Sequence, residues 1–430
     1  MKHLTRKEQI AQAVKVLEEA KKSPFYAKKY AGLGEVKDEN DWRKVPMLSR
    51  NDLFENTYPS SKDMLTGPLE NAIVSSTGGS TGVARTIVLS HTEWDTFCRV
   101  QGEAFRLLGV RGDDIVANLF IAGHLWPSFL GVHEMIKYGG GVHLPISSNI
   151  NVEEVYALCK RYQPTVIVTL PTMLVFLADL AKKDGYVFPN LRIAAFAGEQ
   201  LSREAEAHVK RYLGVQEIKA LAYSSADCGI MGYQCPDCGF ATYHAPTATQ
   251  LIEIVNPDTL EPVKVGETGE VIITSLARTL EPVIRYRIGD MATLLADSCP
   301  CGDPNPLFRL AGRTGEDFKL GGAYISVGVF ERAVSDFSDV LSLNFQLELE
   351  DFANRMDIIL TVECGDNGSE EALRAAAGLR DRRMELVPEI KVGLNVGFIR
   401  NYEVRVSPLG SLPRNHITGK IKKIVDKRVK

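Results

Sequence analysis

The sequence predicts an α/β protein with two domains. Helices cover mostly parallel sheets in a large amino-terminal domain that also has a β-rich subdomain, and a small α+β domain follows. Between residues 73 and 213, apolar strand-like runs alternate with helical segments, which is typical of a parallel sheet covered by helices. After about residue 245 the runs are separated by Pro- and Gly-rich turns, which favours antiparallel strands. The length of 430 residues suits one large and one small domain, which we expect at residues 1–312 and 313–430.

The elements follow from periodicity and from the residues that interrupt it. Ile10, Val14 and Leu17 recur at helical spacing and predict an amphipathic helix over residues 7–31. In the large domain we expect parallel strands at 114–120, 164–170 and 193–197, a helix after Pro171, and antiparallel strands at 251–255 and 270–274. In the small domain we expect strands at 343–350, 355–363 and 402–406 and a helix at 369–386.

Composition narrows the class of protein. Lys and Arg number 50 against 54 Asp and Glu, so the net charge of −4 gives no reason to expect nucleic acid or an anionic membrane as a partner. The first residues are charged, and no apolar run approaches the roughly 20 residues that span a bilayer. We therefore expect a cytoplasmic protein. The sequence leaves open whether it forms a homodimer.

A glycine-rich segment between two apolar runs has the composition of a phosphate-binding loop. Its glycines let the backbone approach an anion, and its hydroxyls and amides can donate hydrogen bonds to phosphate oxygens. The residues concerned are Ser76, Thr77, Gly78, Gly79, Ser80, Thr81 and Gly82. The segment lacks the Gly-Lys-Ser/Thr ending of a Walker loop. The alternative is a polar hairpin turn without a ligand.

Four of the eight cysteines form two close pairs. Cys235 and Cys238 are separated by two residues, Cys299 and Cys301 by one, and a glycine follows each pair. Four thiolates in a tetrahedral array suit a structural zinc ion. His244 is close enough in sequence to replace one of the cysteines, and unrelated surface cysteines are the remaining interpretation.

Further short segments occur in an order that matches a known family. They are 78–85, 197–202, 222–227, 285–290, 312–319 and 412–420. Together they resemble the acyl-adenylate-forming superfamily, specifically its phenylacetate–coenzyme A ligase-like branch. The chain departs from the family pattern by Gly78 for Ser, Ala84 for Pro, Arg85 for Lys and Asp227 for Glu.

The resemblance implies a role for particular residues. ATP and AMP would be bound by the glycine-rich loop together with Gly198, Glu199, Gln200, Tyr223, Ser224, Asp290 and Arg313. Tyr223 would stack on adenine, Asp290 would accept hydrogen bonds from the ribose, and Arg313 would lie near the ribose or phosphate. Lys420 and Asp227 would be catalytic, with Asp227 in the place of the magnesium-associated glutamate. Gly315 and Glu316 would lie near a hinge that carries the small domain.

The implied reaction uses ATP and magnesium to convert a carboxylic acid to an acyl-adenylate and then to its coenzyme A thioester. His124, Trp126 and Phe129 occupy the place where the family lines its acyl pocket, and their rings favour an aryl or arylacetic acid. The alternative is that Trp126 and Phe129 are core residues at helical spacing. Two other functions stay open: adenylation that passes the acyl group to an amine or a carrier-protein thiol, and a catalytically silent nucleotide-binding protein.

Overall fold

The computed structural model describes residues 1–77, 85–148, 151–198, 201–295, 299–313, 318–320, 323–325, 327–352, 355–395, 399–414 and 419–427. The helices are α1 (Arg6–Ala20), α2 (Pro24–Lys29), α3 (Glu39–Trp42), α4 (Arg50–Asn56), α5 (His91–Leu107), α6 (Ser128–Gly139), α7 (Val152–Tyr162), α8 (Pro171–Asp184), α9 (Arg203–Leu213), α10 (Val327–Ser335), α11 (Glu370–Leu386) and α12 (Pro388–Asn395). The first strands are β1 (Ala72–Ser76), β2 (Thr86–Ser90), β3 (Ile115–Asn118), β4 (Val142–Leu144), β5 (Val166–Thr169), β6 (Ile193–Phe196), β7 (Glu217–Ala220), β8 (Tyr223–Ser225), β9 (Gly229–Gly232) and β10 (Thr242–His244). The later strands are β11 (Gln250–Val255), β12 (Thr268–Ser275), β13 (Tyr286–Leu294), β14 (Leu307–Arg313), β15 (Phe318–Leu320), β16 (Ala323–Ile325), β17 (Leu341–Phe352), β18 (Arg355–Cys364), β19 (Ile399–Pro408) and β20 (Ile424–Asp426).

The chain divides into two compact units. The first unit consists of Met1–Val116, Ala122–Leu144 and Lys219–Thr314, and the second of Ala117–Ile121, Pro145–Ile218 and Gly315–Lys430. The chain passes between the units after residues 116, 121, 144, 218 and 314, and two of these crossings lie within β3 and β7. The predicted domains at residues 1–312 and 313–430 stay a prediction.

The first unit is built around an antiparallel sheet in the order β10-β14-β13-β12-β11. The two predicted antiparallel strands are confirmed, since β11 and β12 pair from Gln250 opposite Ser275 to Val255 opposite Glu270. Two hairpins, β1–β2 and β8–β9, belong to the same unit. The hairpins and the sheet carry most of the residues considered below.

Strands β5 and β6 of the second unit are neighbours that run parallel in register, as the apolar runs predict. Helix α8 begins at Pro171, where a proline is tolerated because the first amides of a helix have no intrahelical acceptor. A second sheet has the order β19-β18-β17-β20, with β18 antiparallel to β17 and parallel to β19. One apolar core runs through this unit and includes Leu174, Phe345 and Leu360.

The helix predicted over residues 7–31 was wrong in its length. Helix α1 ends at Ala20, and α2 begins at Pro24 after Ser23, whose hydroxyl accepts a hydrogen bond from the amide of Tyr26. A Ser-Pro pair starts a new helix because serine caps the free amides and proline cannot continue the preceding turn. Among the described residues, no helix has the length and hydrophobicity that crossing a bilayer would require.

Candidate functional site

The ends of the glycine-rich segment are joined by the β1–β2 hairpin. Ser76 lies opposite Thr86, and the amide of Thr77 donates a 2.7 Å hydrogen bond to the carbonyl of Arg85. In return, the amide of Arg85 donates to the Thr77 hydroxyl over 2.9 Å. Residues 78–84, which include Gly78, Gly79, Ser80, Thr81 and Gly82, lie outside the described residues.

Arg85 forms a buried ion pair with Asp227, the predicted magnesium-associated residue. Its guanidinium Nη2 lies 2.6 Å from Oδ2 of Asp227, and the two side chains are 9% and 11% exposed. Asp227 lies in the turn between β8 and β9. A carboxylate offers about four lone-pair positions, so an Asp227 bound by arginine can still coordinate a metal ion. Magnesium is commonly bound by one or two carboxylates together with substrate phosphates, and Asp227 fits that donor set.

Arg278 connects Asp227 to the strand that follows the glycine-rich segment. Its side chain is 1% exposed and donates to the carbonyls of Asp227 and of Val88 on β2, the latter over 3.2 Å. Glu281 accepts from Arg278 and from the Val88 amide, each over 3.0 Å. Burial raises the pKa of Glu281 to about 7, although Arg278 opposes the change. Arg278 and Glu281 therefore fix the turn with Asp227 relative to β2.

Tyr223 and Asp290 form a second polar pair. The Tyr223 hydroxyl donates a 2.5 Å hydrogen bond to Oδ2 of Asp290, and both residues are buried. Asp290 lies opposite Arg313 where β13 pairs with β14, so the two residues with predicted ribose contacts are neighbours in the sheet. Ser224 follows Tyr223 on β8 and is exposed.

The two arginines beside Asp290 in sequence have structural partners. Arg285 is 2% exposed and binds the carboxylate of Glu253 through Nε and Nη2, at 3.2 and 3.1 Å. Arg287 forms an ion pair with Glu270. These two arginines fasten β13 to its surroundings.

Lys420 lies in the second unit, beside Gly198. Its Nζ donates a hydrogen bond to the Gly198 carbonyl. Gly198 has a φ of +85°, and a Cβ there would lie 3.3 Å from Nζ of Lys420. Gly419 has a φ of +73°, and a Cβ there would lie 2.8 Å from Cδ1 of Ile121. Both positions favour glycine because of the backbone conformation and the close packing. Glu199 and Gln200 lie outside the described residues.

The predicted acyl segment has an unusual backbone. Gly123, His124 and Leu125 have consecutive positive φ angles of 91°, 52° and 61°. The Leu125 carbonyl accepts a 2.9 Å hydrogen bond from the Ser76 amide at the end of β1. Non-glycine residues in this conformation are uncommon and occur often at ligand sites. The segment is therefore held next to the start of the glycine-rich loop.

The predicted aromatic residues of the acyl segment differ in position. Trp126 precedes α6 and Phe129 lies in its first turn. Both are half-buried, whereas His124 is exposed. The assignment of His124, Trp126 and Phe129 to an acyl pocket stays a prediction.

Three of the four predicted cysteine ligands and His244, the predicted substitute, are brought together in the first unit. One ligand atom from each of Cys235, His244, Cys299 and Cys301 lies within 4.8 Å of all the others. Sγ of Cys235 is 3.6 Å from Sγ of Cys299, and Sγ of Cys301 is 3.5 Å from Nε2 of His244. Tetrahedral zinc with Zn–S bonds of about 2.3 Å would hold sulfur atoms about 3.8 Å apart. The donor set therefore fits zinc.

Cys238, the remaining cysteine of the predicted four-cysteine set, contacts one side of the cluster. Its Sγ lies 3.5 Å from that of Cys235 and accepts a hydrogen bond from the Cys235 amide. His244 is oriented by its other ring nitrogen, since Nδ1 lies 3.0 Å from the carbonyl of Asn305. Zinc-bound histidines commonly donate that second N–H to a carbonyl, which leaves the first nitrogen for the metal. This geometry favours the set that contains His244.

The sequence is similar to that of a known protein family. A model of the family described as AMP-binding enzyme matches residues 4–277. The chain belongs to the AMP-binding enzyme family.

Relatives of this AMP-binding enzyme extend over nearly its whole length. It is 24% identical to phenylacetate–coenzyme A ligase of Escherichia coli K12 over 420 residues, which cover 94% of this chain and 90% of that protein. It is 25% identical to the phenylacetate–coenzyme A ligase of Aromatoleum evansii over 421 residues, with 95% and 90% covered. The predicted resemblance is confirmed.

The fold also has a counterpart among solved structures. The structure of 2-hydroxyisobutyryl-CoA ligase in the postadenylation state, in complex with 2-HIB-AMP, has a TM-score of 0.80 at 17% identity. The similarity covers 97% of this chain and 89% of that one. The predicted fold class is confirmed.

The structure brings some predicted residues together and adds others. Tyr223 contacts Asp290, three of the predicted cysteines cluster with His244, and Lys420 contacts Gly198. The sequence indicated Arg85 only as the charge that ends the loop, and gave no sign of its pairing with Asp227. Arg278 and Glu281 were missed entirely. A charged residue in an otherwise apolar stretch between two strands was their only local signal.

Proposed function

We propose that this AMP-binding enzyme activates a carboxylic acid with ATP and transfers the acyl group to coenzyme A. The observation that carries the proposal is the pairing of Tyr223 with Asp290, beside Arg313, in a chain of this family. The two relatives described above, which match more than nine tenths of the chain, are both named phenylacetate–coenzyme A ligase. They support coenzyme A as the acceptor.

In the first half-reaction a carboxylate oxygen bonds to the α-phosphorus of ATP while the bond to pyrophosphate breaks. Both reactants are anions, so catalysis depends on positioning and on cations that face the developing charge. Asp290 accepts hydrogen bonds from the ribose, and Lys420 neutralises charge on the transferring phosphate. The loop amides from Ser76 to Gly82 hold the phosphates. Asp227 would hold magnesium, which would supply further positive charge at the phosphates.

In the second half-reaction the thiol of coenzyme A attacks the acyl carbon of the mixed anhydride, and AMP leaves. His124, Trp126 and Phe129 line the acyl site in this proposal. Their rings favour a flat apolar acid such as an aryl or arylacetic carboxylate. A pocket of this kind discriminates modestly, with one methylene worth roughly 1–3 kcal/mol, so several aryl acids would be accepted.

We assign the zinc ion a structural role. Cys235, Cys299, Cys301 and His244 would hold it, with Cys238 as the alternative to His244. A closed set of four protein ligands leaves no position for a substrate. Cytoplasm is the proposed location, because ATP and coenzyme A are both available there.

The test is pyrophosphate release with a panel of acids, with and without coenzyme A. We expect release that depends on an aryl acid, and thioester formation when coenzyme A is added. Lys420→Ala should lower the release by orders of magnitude and leave nucleotide binding largely unchanged. Strong activity with acetate or long-chain acids and none with aryl acids would contradict the pocket assignment.

Two other outcomes are informative. Acid-dependent release that coenzyme A neither accelerates nor consumes would favour transfer to an amine or a carrier protein. Nucleotide binding without release for any acid would favour a catalytically silent protein.

A further inference from the structure

A buried carboxylate lies behind the segment that carries Lys420. Glu363 is on β18, and its side chain is completely buried. Burial raises its pKa, while the amides of Leu412 and Gly410 and the guanidinium of Arg414 counteract this. Burying a carboxylate opposes folding unless such partners compensate it. Among the described residues, the groups that stabilise the charge of Glu363 belong to one short segment, residues 410–414, whereas the carboxylate of Asp179 opposes that charge.

Glu363 contacts that segment through one hydrogen bond and one longer ion pair. The Leu412 amide donates a 3.0 Å hydrogen bond to Oε1, and Nη2 of Arg414 lies 3.9 Å from Oε2. Arg414 then pairs with Ile421 in an antiparallel bridge. Lys420 immediately precedes Ile421, so the chain returns from Arg414 to the lysine across this bridge.

Packing on the other side of the segment limits its movement. The Arg414 guanidinium lies over the ring of Phe176, 5.3 Å from its centroid. Gly410 has a φ of +77°, and a Cβ there would lie 2.9 Å from Cζ of Phe176. Leu412 and Ile421 are 4% and 5% exposed. The segment is therefore held between the ring of Phe176 and the carboxylate of Glu363.

We propose that Glu363 is a positioning residue for Lys420 in the adenylation half-reaction. This rests on the proposed function, in which Lys420 neutralises charge on the transferring phosphate. Glu363 contacts neither the nucleotide nor the acid in this proposal; it acts through Leu412, Arg414 and Ile421. The contacts with Glu363 lie between residues 363 and 421, so they stay intact if this part of the chain moves as one body.

The test compares the two half-reactions in Glu363→Gln. Glutamine keeps the size of the side chain and removes the charge that faces Arg414. We expect acid-dependent pyrophosphate release to fall roughly 10- to 100-fold, because a small displacement of a catalytic group has effects of that size. Thioester formation from added acyl-adenylate, which does not use Lys420 in this proposal, should stay within about twofold of the native rate. Equal loss of both half-reactions, as in a misfolded variant, or loss of neither would overturn the proposal.

A double-variant cycle provides the second measurement. In a Lys420→Ala background, Glu363→Gln should cause no further decrease in pyrophosphate release, because its effect passes through the missing lysine. The same fold decrease in both backgrounds would mean that Glu363 acts through another group, and the proposal would be wrong. Inactive native enzyme would instead count against the proposed function.

Asp357→Asn is the matched control. Asp357 lies on the same strand, is 6% exposed and binds Arg400, with Nε 2.8 Å from Oδ1. Among the described residues, Asp357 forms an ion pair with Arg400 and no hydrogen bond with residues 410–414. Its replacement should lower stability and leave the ratio of the two half-reactions unchanged.

Discussion

The surroundings of Asp227 and the cysteine cluster both gather ionisable groups in the first unit, but they balance charge differently. Asp227 and Glu281 each have an arginine partner, at 2.6 and 3.0 Å. In the cluster, thiols face other thiols and an imidazole at 3.5 to 3.6 Å. Contacts of that kind are weak hydrogen bonds.

The difference shows how each region achieves stability. The two carboxylates each face a guanidinium group of the chain itself, so their positions are fixed without a metal ion. In the zinc proposal, the cluster would gain most of its stability from the metal ion, because thiolates so close together repel one another without one. Substitutions near Asp227 should therefore affect the reaction first, and those in the cluster should affect folding first.

Asp227→Asn should have the largest effect. The amide keeps the shape of the side chain and removes the charge that would bind magnesium and that faces Arg85. We expect pyrophosphate release to fall about 100-fold or more, as when one preorganised electrostatic contact is removed from an active site. The magnesium concentration that gives half-maximal rate should also rise. Native magnesium dependence in the variant would remove Asp227 from the metal site.

Cys299→Ser should affect stability and leave the chemistry unchanged. The native protein should contain about one zinc per chain, and the variant should lose most of it, because a structural site needs all four ligands. The melting temperature should fall, by roughly 2–4 °C for each kcal/mol lost. Pyrophosphate release by the folded fraction should match the native rate.

Cys98→Ser is the control for this variant, since Cys98 is buried on α5 outside the cluster. It should keep its zinc. The ligand set itself can be resolved with two further variants. His244→Ala should lose zinc and Cys238→Ser should keep it; the reverse result would favour the four-cysteine set.

The sequence predicted the helices and strands of the fold better than the long-range contacts between them. Strands such as β11, β12 and β18 were found because their apolar runs end at turn residues, which is a local signal. Arg85 and Asp227 are 142 positions apart, and Arg278 and Val88 are 190 apart. No local pattern encodes such a contact, because it forms only when distant elements pack.

The candidate site shows the same division. The two cysteine pairs were recognised from their spacing alone, because the members of each pair are close together in the sequence. The choice between Cys238 and His244 depends on the contact between β10, which carries His244, and the second cysteine pair. That is a tertiary contact. Glu363 looked like an ordinary alternating residue of a strand, and only its burial distinguishes it.

Asp290→Ala tests the predicted ribose contact, and its expected effect is smaller. Loss of a charge-assisted hydrogen bond typically costs about 1.5–3 kcal/mol, so the affinity for ATP should fall accordingly. Tyr223→Phe removes the hydroxyl that donates to Asp290 and keeps the ring, so it should weaken binding less. Calorimetric titration with ATP measures both variants. Unchanged affinity in Asp290→Ala would exclude the ribose contact.

Glu281→Gln should have the smallest effect, visible in the pH dependence of stability. Because the folded protein raises the pKa of Glu281 from 4.5 to about 7, the native state binds a proton more tightly than the unfolded chain does between these values. The contribution to stability is therefore fully present below pH 4.5 and is lost as the pH rises through 7.

Glutamine cannot titrate, so the variant should lack this part of the decline. We expect the fall in melting temperature between pH 5 and pH 8 to be smaller in Glu281→Gln than in the native protein, by roughly 2–4 °C for each kcal/mol. The same fall in both proteins would mean that Arg278 keeps Glu281 ionised throughout, and that this pair is balanced as completely as Arg85 and Asp227.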